Sequence, residues 1–292
     1  MTTLPDSDFD KISPTAFLTT YVRQFTDIPY TKEIAQLTNA IATAQQFIDQ
    51  GQTNSIVPVL AVLVEGRYKA IEQVRSQFHT TQILELASGL LPRGMILSQQ
   101  KEITFIESDL PAMIQQKQQL AQQLVGERPN LHFLTIDATS NLNSLRLNDY
   151  FQSDQPITIL CEGLLMYLTF AEKQQVFANV REILQTFGGV WITPDLSTKV
   201  GAEKIGQDSS ASQQTAQKFA SLIGRTVTDV TENLFIDLDH AKQFVQEQGF
   251  QIEEKSALLV LDQLKCLSAL GIERDIAQKL LTTIPVFVLR LA

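Results

Sequence analysis

The stretch from Ile83 to Gly94 limits what this chain can become more than any other. β-compatible residues, Thr80 to Leu84, lead into Glu85 and then into Ala87-Ser88-Gly89, after which Leu90-Leu91-Pro92-Arg93-Gly94 turns toward a helical segment. An apolar strand that ends in a small-residue turn, with a helix starting behind it, brings backbone N–H groups up against a ligand. Ala87, Ser88 and Gly89 are small enough for that approach, and Gly89 can take a positive φ. Glu85 adds a negative charge just before the turn, suited to a ligand with a cationic or hydroxylated part.

Other segments repeat the theme. Ile103-Thr104-Phe105-Ile106 is a second apolar strand ending at Asp109. That acid lies roughly 20 residues after the turn, the spacing of a ribose-binding carboxylate. Leu131 to Ile136 ends at Asp137, Ile157 to Cys161 runs into Glu162-Gly163, and Val190 to Thr193 ends at Pro194-Asp195. Phe250-Gln251-Ile252 begins a sixth strand and Ile284 to Leu291 a seventh. Helices are expected over Asp109–Leu124, Phe170–Phe187, Asp239–Gln248 and Asp262–Leu281, with a helix or loop near Leu142–Phe151. Strands alternating with helices predict an α/β fold: a doubly wound, mostly parallel sheet with helices on both faces.

Ahead of the first strand, residues 1–10 are polar and acidic. Ser13-Pro14 is a good helix start. A second helix is expected from Pro29-Tyr30-Thr31-Lys32 to about Asp49, stopped by Gly51, and a third from Pro58 to Phe78. This gives an N-terminal helical cap at 1–78 and a core at 79–292. From Leu196 to Leu234 the pattern lapses into Gly, Ser, Gln and Thr, which is read as a lid over the substrate.

Composition excludes several classes. With 292 residues, 44% hydrophobic and 19% charged, the chain can bury a sizeable core. A net charge of −9 argues against nucleic acid or an anionic membrane surface as partner. Cys161 and Cys266 form no CxxC pair, which suggests a reducing compartment and no structural disulfide or metal site. Without an apolar run of membrane length or a signal-like N-terminus, a cytoplasmic protein is expected.

The motifs Glu85-Leu-Ala-Ser-Gly89 with Pro92-Arg93-Gly94, Glu107-Ser-Asp109-Leu-Pro111 followed by Lys117, and Cys161-Glu162-Gly163-Leu-Leu-Met-Tyr167-Leu recur together over about residues 60 to 195. In this set the chain resembles class I S-adenosylmethionine-dependent methyltransferases, in particular the leucine carboxyl methyltransferase-like branch with its polyketide O-methyltransferases. That branch usually carries Gly where this chain has Ala87, and Asp-Thr-Arg where it has Leu91-Pro92-Arg93. The resemblance implies a seven-stranded sheet with an antiparallel last strand, S-adenosylmethionine as cofactor and a small-molecule methyl acceptor. Asp109 would hold the ribose hydroxyls, and Asp137 with Ala138 would face the adenine. Glu162 and the backbone at Ala87 and Gly89 would meet the methionyl amino group, with Glu85 acting from before the turn. Arg67 would take the methionyl carboxylate, with Arg93 and Lys32 as other candidates for that charge. An electronegative rim of Glu85, Asp109, Asp137, Glu162 and Asp195 suits a sulfonium better than a pyrophosphate.

Tyr167 and Asp195 are the candidate catalytic residues on the substrate side. Methyl transfer asks chiefly for alignment and exclusion of water. An acceptor carboxylate is already ionised at neutral pH, whereas a phenol gains from a base. His79, His132 and His240 all lie away from the ligand-facing strand ends and are read as structural or surface residues. Two rivals stand beside O-methylation: a nicotinamide-dependent oxidoreductase, which lacks its GxGxxG here, and a non-catalytic protein that binds the cofactor without turnover.

Overall fold

The structure is a computed structural model, and it describes residues 14–48, 56–142, 145–208 and 231–292. The expectations for residues 1–10, the Ser13 cap, the Gly51 stop and the central part of the 196–234 segment lie outside the described residues. Seven strands, β1 (Gln82–Leu86), β2 (Thr104–Asp109), β3 (Leu131–Thr135), β4 (Ile157–Cys161), β5 (Gly189–Thr193), β6 (Phe250–Lys255) and β7 (Val286–Leu291), form one sheet in the order β3-β2-β1-β4-β5-β7-β6. β1 to β5 pair in parallel, while β7 runs antiparallel to both β5 and β6. This is the doubly wound, seven-stranded sheet the sequence implied. Its strand order reverses between β1 and β4, the place where ligands bind in open α/β sheets.

Alternate residues of each strand feed two separate cores. Ile83, Phe105, Leu160, Ile192 and Val288 face one side and pack with helix α4 (Ile56–Arg75) through Val62, Ile71 and Val74. Leu84, Ile106, Ile159, Trp191 and Leu289 face the other. There they meet Phe177 and Val180 of α7 (Phe170–Phe187) and Val245 of a later helix, Leu238–Glu247. A strand buried on both faces reads as a continuous apolar run, as Ile157–Cys161 does. Each fully buried apolar side chain contributes about 1.5–3 kcal/mol. Helices α1 (Pro14–Arg23), α2 (Thr31–Leu37) and α3 (Ala40–Ile48) place Phe17, Val22, Ile34 and Ala40 in the same cluster as α4 and that sheet face. The N-terminal helices therefore share a hydrophobic core with the sheet.

Three details depart from the sequence reading. The helix expected from Pro29 to Asp49 is two helices, because Thr38 is extended (φ −111°, ψ 171°). Its hydroxyl donates to the Ile34 carbonyl at 2.8 Å and accepts the Ala40 N–H at 3.3 Å, closing α2 and opening α3. The helix expected over Asp262–Leu281 is a 3-10 turn (Ala257–Gln263) followed by two short helices, Cys266–Leu270 and Arg274–Leu281. The segment after β5 holds helix α8 (Lys199–Asp208) where no regular element was expected.

Two short pieces fix the ligand-facing edge. α7 opens on a capping box in which Thr169 accepts the Glu172 N–H and the Glu172 carboxylate accepts the Thr169 N–H at 2.7 Å. α5 (Arg93–Leu97) follows the turn after β1, and the Gly94 N–H donates to Glu107 Oε1 at 3.1 Å. A Cβ on Gly94 would lie 2.3 Å from Glu107 Oε1 and 2.9 Å from the Leu131 side chain. Gly94→Ala should cost about 2–3 kcal/mol through overpacking, read as a lowered urea midpoint by circular dichroism with an unchanged m-value.

Candidate functional site

The turn after β1 is built from below. Lys117 of α6 (Pro111–Val125), wholly buried, donates to Glu107 at 2.8 Å, to the Gly89 carbonyl at 3.1 Å and to the Ser88 carbonyl at 3.4 Å. The Ser88 N–H donates to the Ser108 carbonyl at 2.9 Å, and the Gly89 N–H donates to Asp109 Oδ2 at 2.7 Å. Asp109 Oδ1 accepts the Leu110 N–H at 2.8 Å. Burial raises the Asp109 pKa, while these N–H donors pull it back. Ala87 and Gly89 both sit at φ +51°. For a non-glycine residue that left-handed conformation costs roughly 1–2 kcal/mol, so the departure at Ala87 falls where the backbone favours glycine.

Beneath the turn lies a buried ion network. The Arg93 guanidinium contacts Glu85, reaches Glu162 at 3.0 Å and Glu72 at 2.7 Å, and stacks on the Tyr68 ring with its carbon 4.7 Å from the centroid. Glu162 is further approached by Arg67 at 3.7 Å and Arg23 at 3.9 Å. Burial alone would raise Glu162, but Arg93, Arg67 and Arg23 together hold it below the usual carboxylate range. Burial lifts Glu85 to about 8, against the pull of Arg93 and with added repulsion from its cross-strand neighbour Glu107. Burial lowers Arg23 to about 10, with Glu162 opposing. Arg23 Nε, Arg67 Nε, Glu162 Oε1, Glu85 Oε2 and Ser88 Oγ are buried without a hydrogen-bond partner.

A cavity of about 860 Å³ opens at this edge of the sheet. Arg67, Ala87, Gly89, Asp109, Glu162 and Tyr167 all line it. The structure does not bring the other predicted residues to its wall. Glu85 lies within β1, fully buried and paired with Arg93 of α5, not at the rim expected from its place before the turn. Asp137 holds its own loop, accepting the Thr139 N–H at 2.9 Å and the Thr139 and Ser140 hydroxyls at 2.7 and 2.8 Å. Hydrogen bonding to Thr139 and Ser140 lowers its pKa. Ala138 is packed in the core, with its carbonyl bound by Asn179 at 2.9 Å. Asp195 is buried behind the turn that follows β4, its carboxylate engaged by the backbone N–H groups of Gly163, Leu164 and Leu165. Arg93 is locked inside its ion network, and Lys32 is exposed on α2, so neither lies on the cavity wall.

The sequence reading missed Arg23, whose side chain on α1 lines the cavity beside Arg67. No local pattern marks it, since it stands roughly 60 residues ahead of the turn it joins. Ser88 also lines the cavity with an unpaired hydroxyl, a position its place between Ala87 and Gly89 had already suggested. None of the three histidines lines the cavity. His79 is exposed, His132 packs on Tyr150, and His240 packs on Phe170 and Phe235. Among the described residues, no cluster of three or more His, Cys, Asp or Glu could hold a metal ion, and no helix is long and apolar enough to cross a membrane.

The orphaned guanidinium nitrogens beside Glu162, with Asp109 and the small-residue turn on the same wall, fit a zwitterionic amino-acid end joined to a nucleoside. This sheet, with its reversed final strand and that site at the switch point, is the frame of a class I S-adenosylmethionine-dependent methyltransferase. The family model for leucine carboxyl methyltransferase matches residues 13–181, more than half of the chain, and the protein belongs to that family. Among solved structures, a DUF574 family protein from Streptomyces avermitilis superposes with a TM-score of 0.58 at 14% identity, over 95% of this chain and 97% of that one. A protein from Nostoc punctiforme, provisionally named an O-methyltransferase, gives 0.47 at 12% identity over 81% of this chain. This chain spans 60% of the length of the Nostoc protein's chain. The plantazolicin methyltransferase, crystallised with a triazolic desmethyl-plantazolicin analogue and S-adenosylhomocysteine, gives 0.44 at 11% identity over 96% and 98% of the two chains. At these identities the Streptomyces protein supports the fold alone.

Two expectations follow from the geometry. Ala87→Gly relieves the left-handed strain but frees the unfolded chain, so it should stabilise the protein by about 0.5–1 kcal/mol, read as a higher urea midpoint. Glu85 at about 8, against an ordinary 4.5, means that the folded protein keeps a proton the unfolded chain has released. Its contribution to stability is complete below the ordinary value and is lost as pH rises through the raised one. Stability should therefore decline between about pH 4.5 and 8, and Glu85→Gln should flatten that decline in urea titrations at stepped pH. Glu162, held low, acts at the other end, losing its contribution only as pH falls through its depressed value.

Proposed function

We propose that this protein methylates an oxygen, carboxylate or hydroxyl, of a small-molecule acceptor, using S-adenosylmethionine. The observation that carries the reading is the pair of orphaned guanidinium nitrogens of Arg23 and Arg67 on the cavity wall next to Glu162. Arg67 and Arg23 take the methionyl carboxylate, and the free Oε1 of Glu162 takes the methionyl ammonium between them. The backbone at Ala87 and Gly89 approaches the methionyl amino end, and Asp109 takes the ribose hydroxyls while keeping its bonds to the Gly89 and Leu110 N–H groups.

The bound cofactor supplies a methyl group already activated on a sulfonium, so the protein's work is alignment and desolvation. Tyr167, on the 3-10 turn after β4, faces the cavity and orients the acceptor. With no histidine on that wall, an acceptor already ionised at neutral pH needs no proton removed. The helices within residues 1–78 act as a cap. The described ends of the segment from 196 to 234 add Leu196, Ile205 and Leu234 to the cavity wall as parts of a lid.

The test is calorimetric titration with S-adenosylmethionine, S-adenosylhomocysteine and NAD. Binding of both adenosyl ligands without NAD is expected; binding of NAD, or of none of the three, would sink the reading. Arg67→Ala and Arg23→Ala should each weaken S-adenosylhomocysteine about 10- to 100-fold, as the loss of a charged hydrogen bond predicts. With a labelled methyl donor and a panel of hydroxyl and carboxyl acceptors, transfer to oxygen is recognised by a base-labile ester or a base-stable ether. Label found only on nitrogen or carbon would overturn the oxygen assignment.

A further inference from the structure

Asp195 is the one predicted site acid whose carboxylate is wholly spent on another strand's exit. It follows Pro194 at the end of β5, and its own N–H donates to the Thr193 hydroxyl at 3.1 Å. Its Oδ1 accepts the Gly163 N–H at 2.8 Å, and its Oδ2 accepts the Leu164 and Leu165 N–H groups at 2.6 and 3.1 Å. The Cys161 thiol lies 3.9 Å from Oδ2. Three converging N–H donors make a small anion-binding nest that this side chain fills. Burial raises the Asp195 pKa, and the three donors oppose it.

The residue just before this nest is Glu162, which Arg93 grips from the α5 side at 3.0 Å. The 162–165 turn is thus clamped from two directions, by Arg93 on its carboxylate and by Asp195 on its backbone. Glu162, Gly163 and Leu164 line the cavity from β4, and Pro194 and Leu196, which flank Asp195, line it from β5. One buried carboxylate ties these two pieces of wall together.

We propose that Asp195 is a positioning residue: it holds the 162–165 turn so that Glu162 meets the ammonium of the cofactor's amino-acid end. It touches neither cofactor nor acceptor. The proposal rests on the cofactor placement argued above, and its test uses two ligands that separate the halves of that site. S-adenosylhomocysteine carries the amino-acid end; 5′-methylthioadenosine keeps the nucleoside and thioether and lacks it. Asn at 195 offers one acceptor oxygen and an amide that opposes the remaining N–H groups.

Calorimetry on the wild-type protein, Asp195→Asn, Glu162→Gln and the double variant gives the answer. Asp195→Asn should lose about tenfold for S-adenosylhomocysteine, the worth of one charge-assisted contact, and keep 5′-methylthioadenosine within about twofold. The double variant should bind S-adenosylhomocysteine no more weakly than Glu162→Gln alone, since both act on one contact. Thr158→Val, which removes the partly buried hydrogen bond to Thr80 at the far end of β4, serves as the stability control. It should lower the melting temperature and leave both affinities in place. Equal losses for both ligands in Asp195→Asn, no loss for either, or additive losses in the double variant would overturn the proposal. If Asp195→Asn does not fold, Asp195→Ser is read by the same criteria. Failure of both to fold while Thr158→Val folds would make Asp195 a fold determinant and also overturn it. Wild-type protein that binds neither ligand would instead refute the cofactor placement.

Discussion

A single buried guanidinium holds the ligand-facing edge of the sheet together. Arg93 joins Glu72 of α4, Glu85 of β1 and Glu162 beyond β4, with the Tyr68 ring against its face. An unpaired buried ion costs several kcal/mol, and removing one partner from such a set is typically worth about 3–5 kcal/mol. The network is therefore stable only when complete, and its completeness depends on Glu162. That carboxylate gives one oxygen to Arg93 and leaves the other at the cavity, beside Arg67 and Arg23. The fold and the site thus share one residue. A change that suits one without the other leaves a charge stranded in the core.

The first five strands and their order along the chain were legible because each is an apolar run closed by an acid or a glycine turn. The reversal of β7 came only with the family resemblance, since antiparallel pairing leaves no mark on so short a run. Glu85 was misplaced for a reason periodicity could have shown. It falls in phase with Ile83, on the face that α4 covers, and lies in register with Glu107. An acid in that phase is normally an argument against burial, and Arg93, from another element, is the partner that offsets it. Arg23 and Asp195 were opaque in a different way. Arg23 reaches the site by the packing of α1 on α4, and Asp195 is recognised by three backbone groups on another strand's exit, which no spacing rule encodes. The break at Thr38 was readable from its hydroxyl, but the apolar periodicity on either side concealed it.

The turn after β1 combines strain with support. Two left-handed positions, Ala87 and Gly89, flank Ser88, and the Ser88 and Gly89 carbonyls are drawn down onto the buried Lys117 ammonium. Asp109 holds the Gly89 N–H from the β2 side. Lys117 itself is tolerable in the core because Glu107 neutralises it at 2.8 Å. The strain at Ala87 is thus contained by contacts that do not involve a ligand, and the turn is fixed in shape before one arrives. A prefixed turn has little order left to lose on binding, the usual advantage of preorganisation.

The two halves of the cavity differ in how they are held. The wall built of Ala87, Gly89, Asp109 and Glu162 comes from strand exits, whose backbones are set by the hydrogen-bond ladder of five parallel strands. One part of the remaining wall comes from outside that ladder: Leu60 and Leu63 of α4, Ile205 of α8, and Ile284 just before β7. Those side chains are apolar, and a wall of that kind favours an apolar flank on whatever lies against it. They also belong to elements whose spacing the sheet does not dictate, so they can change without disturbing the strand exits. This division is why the first wall could be read from short motifs. The second is written in residues that become neighbours only after the helices have packed.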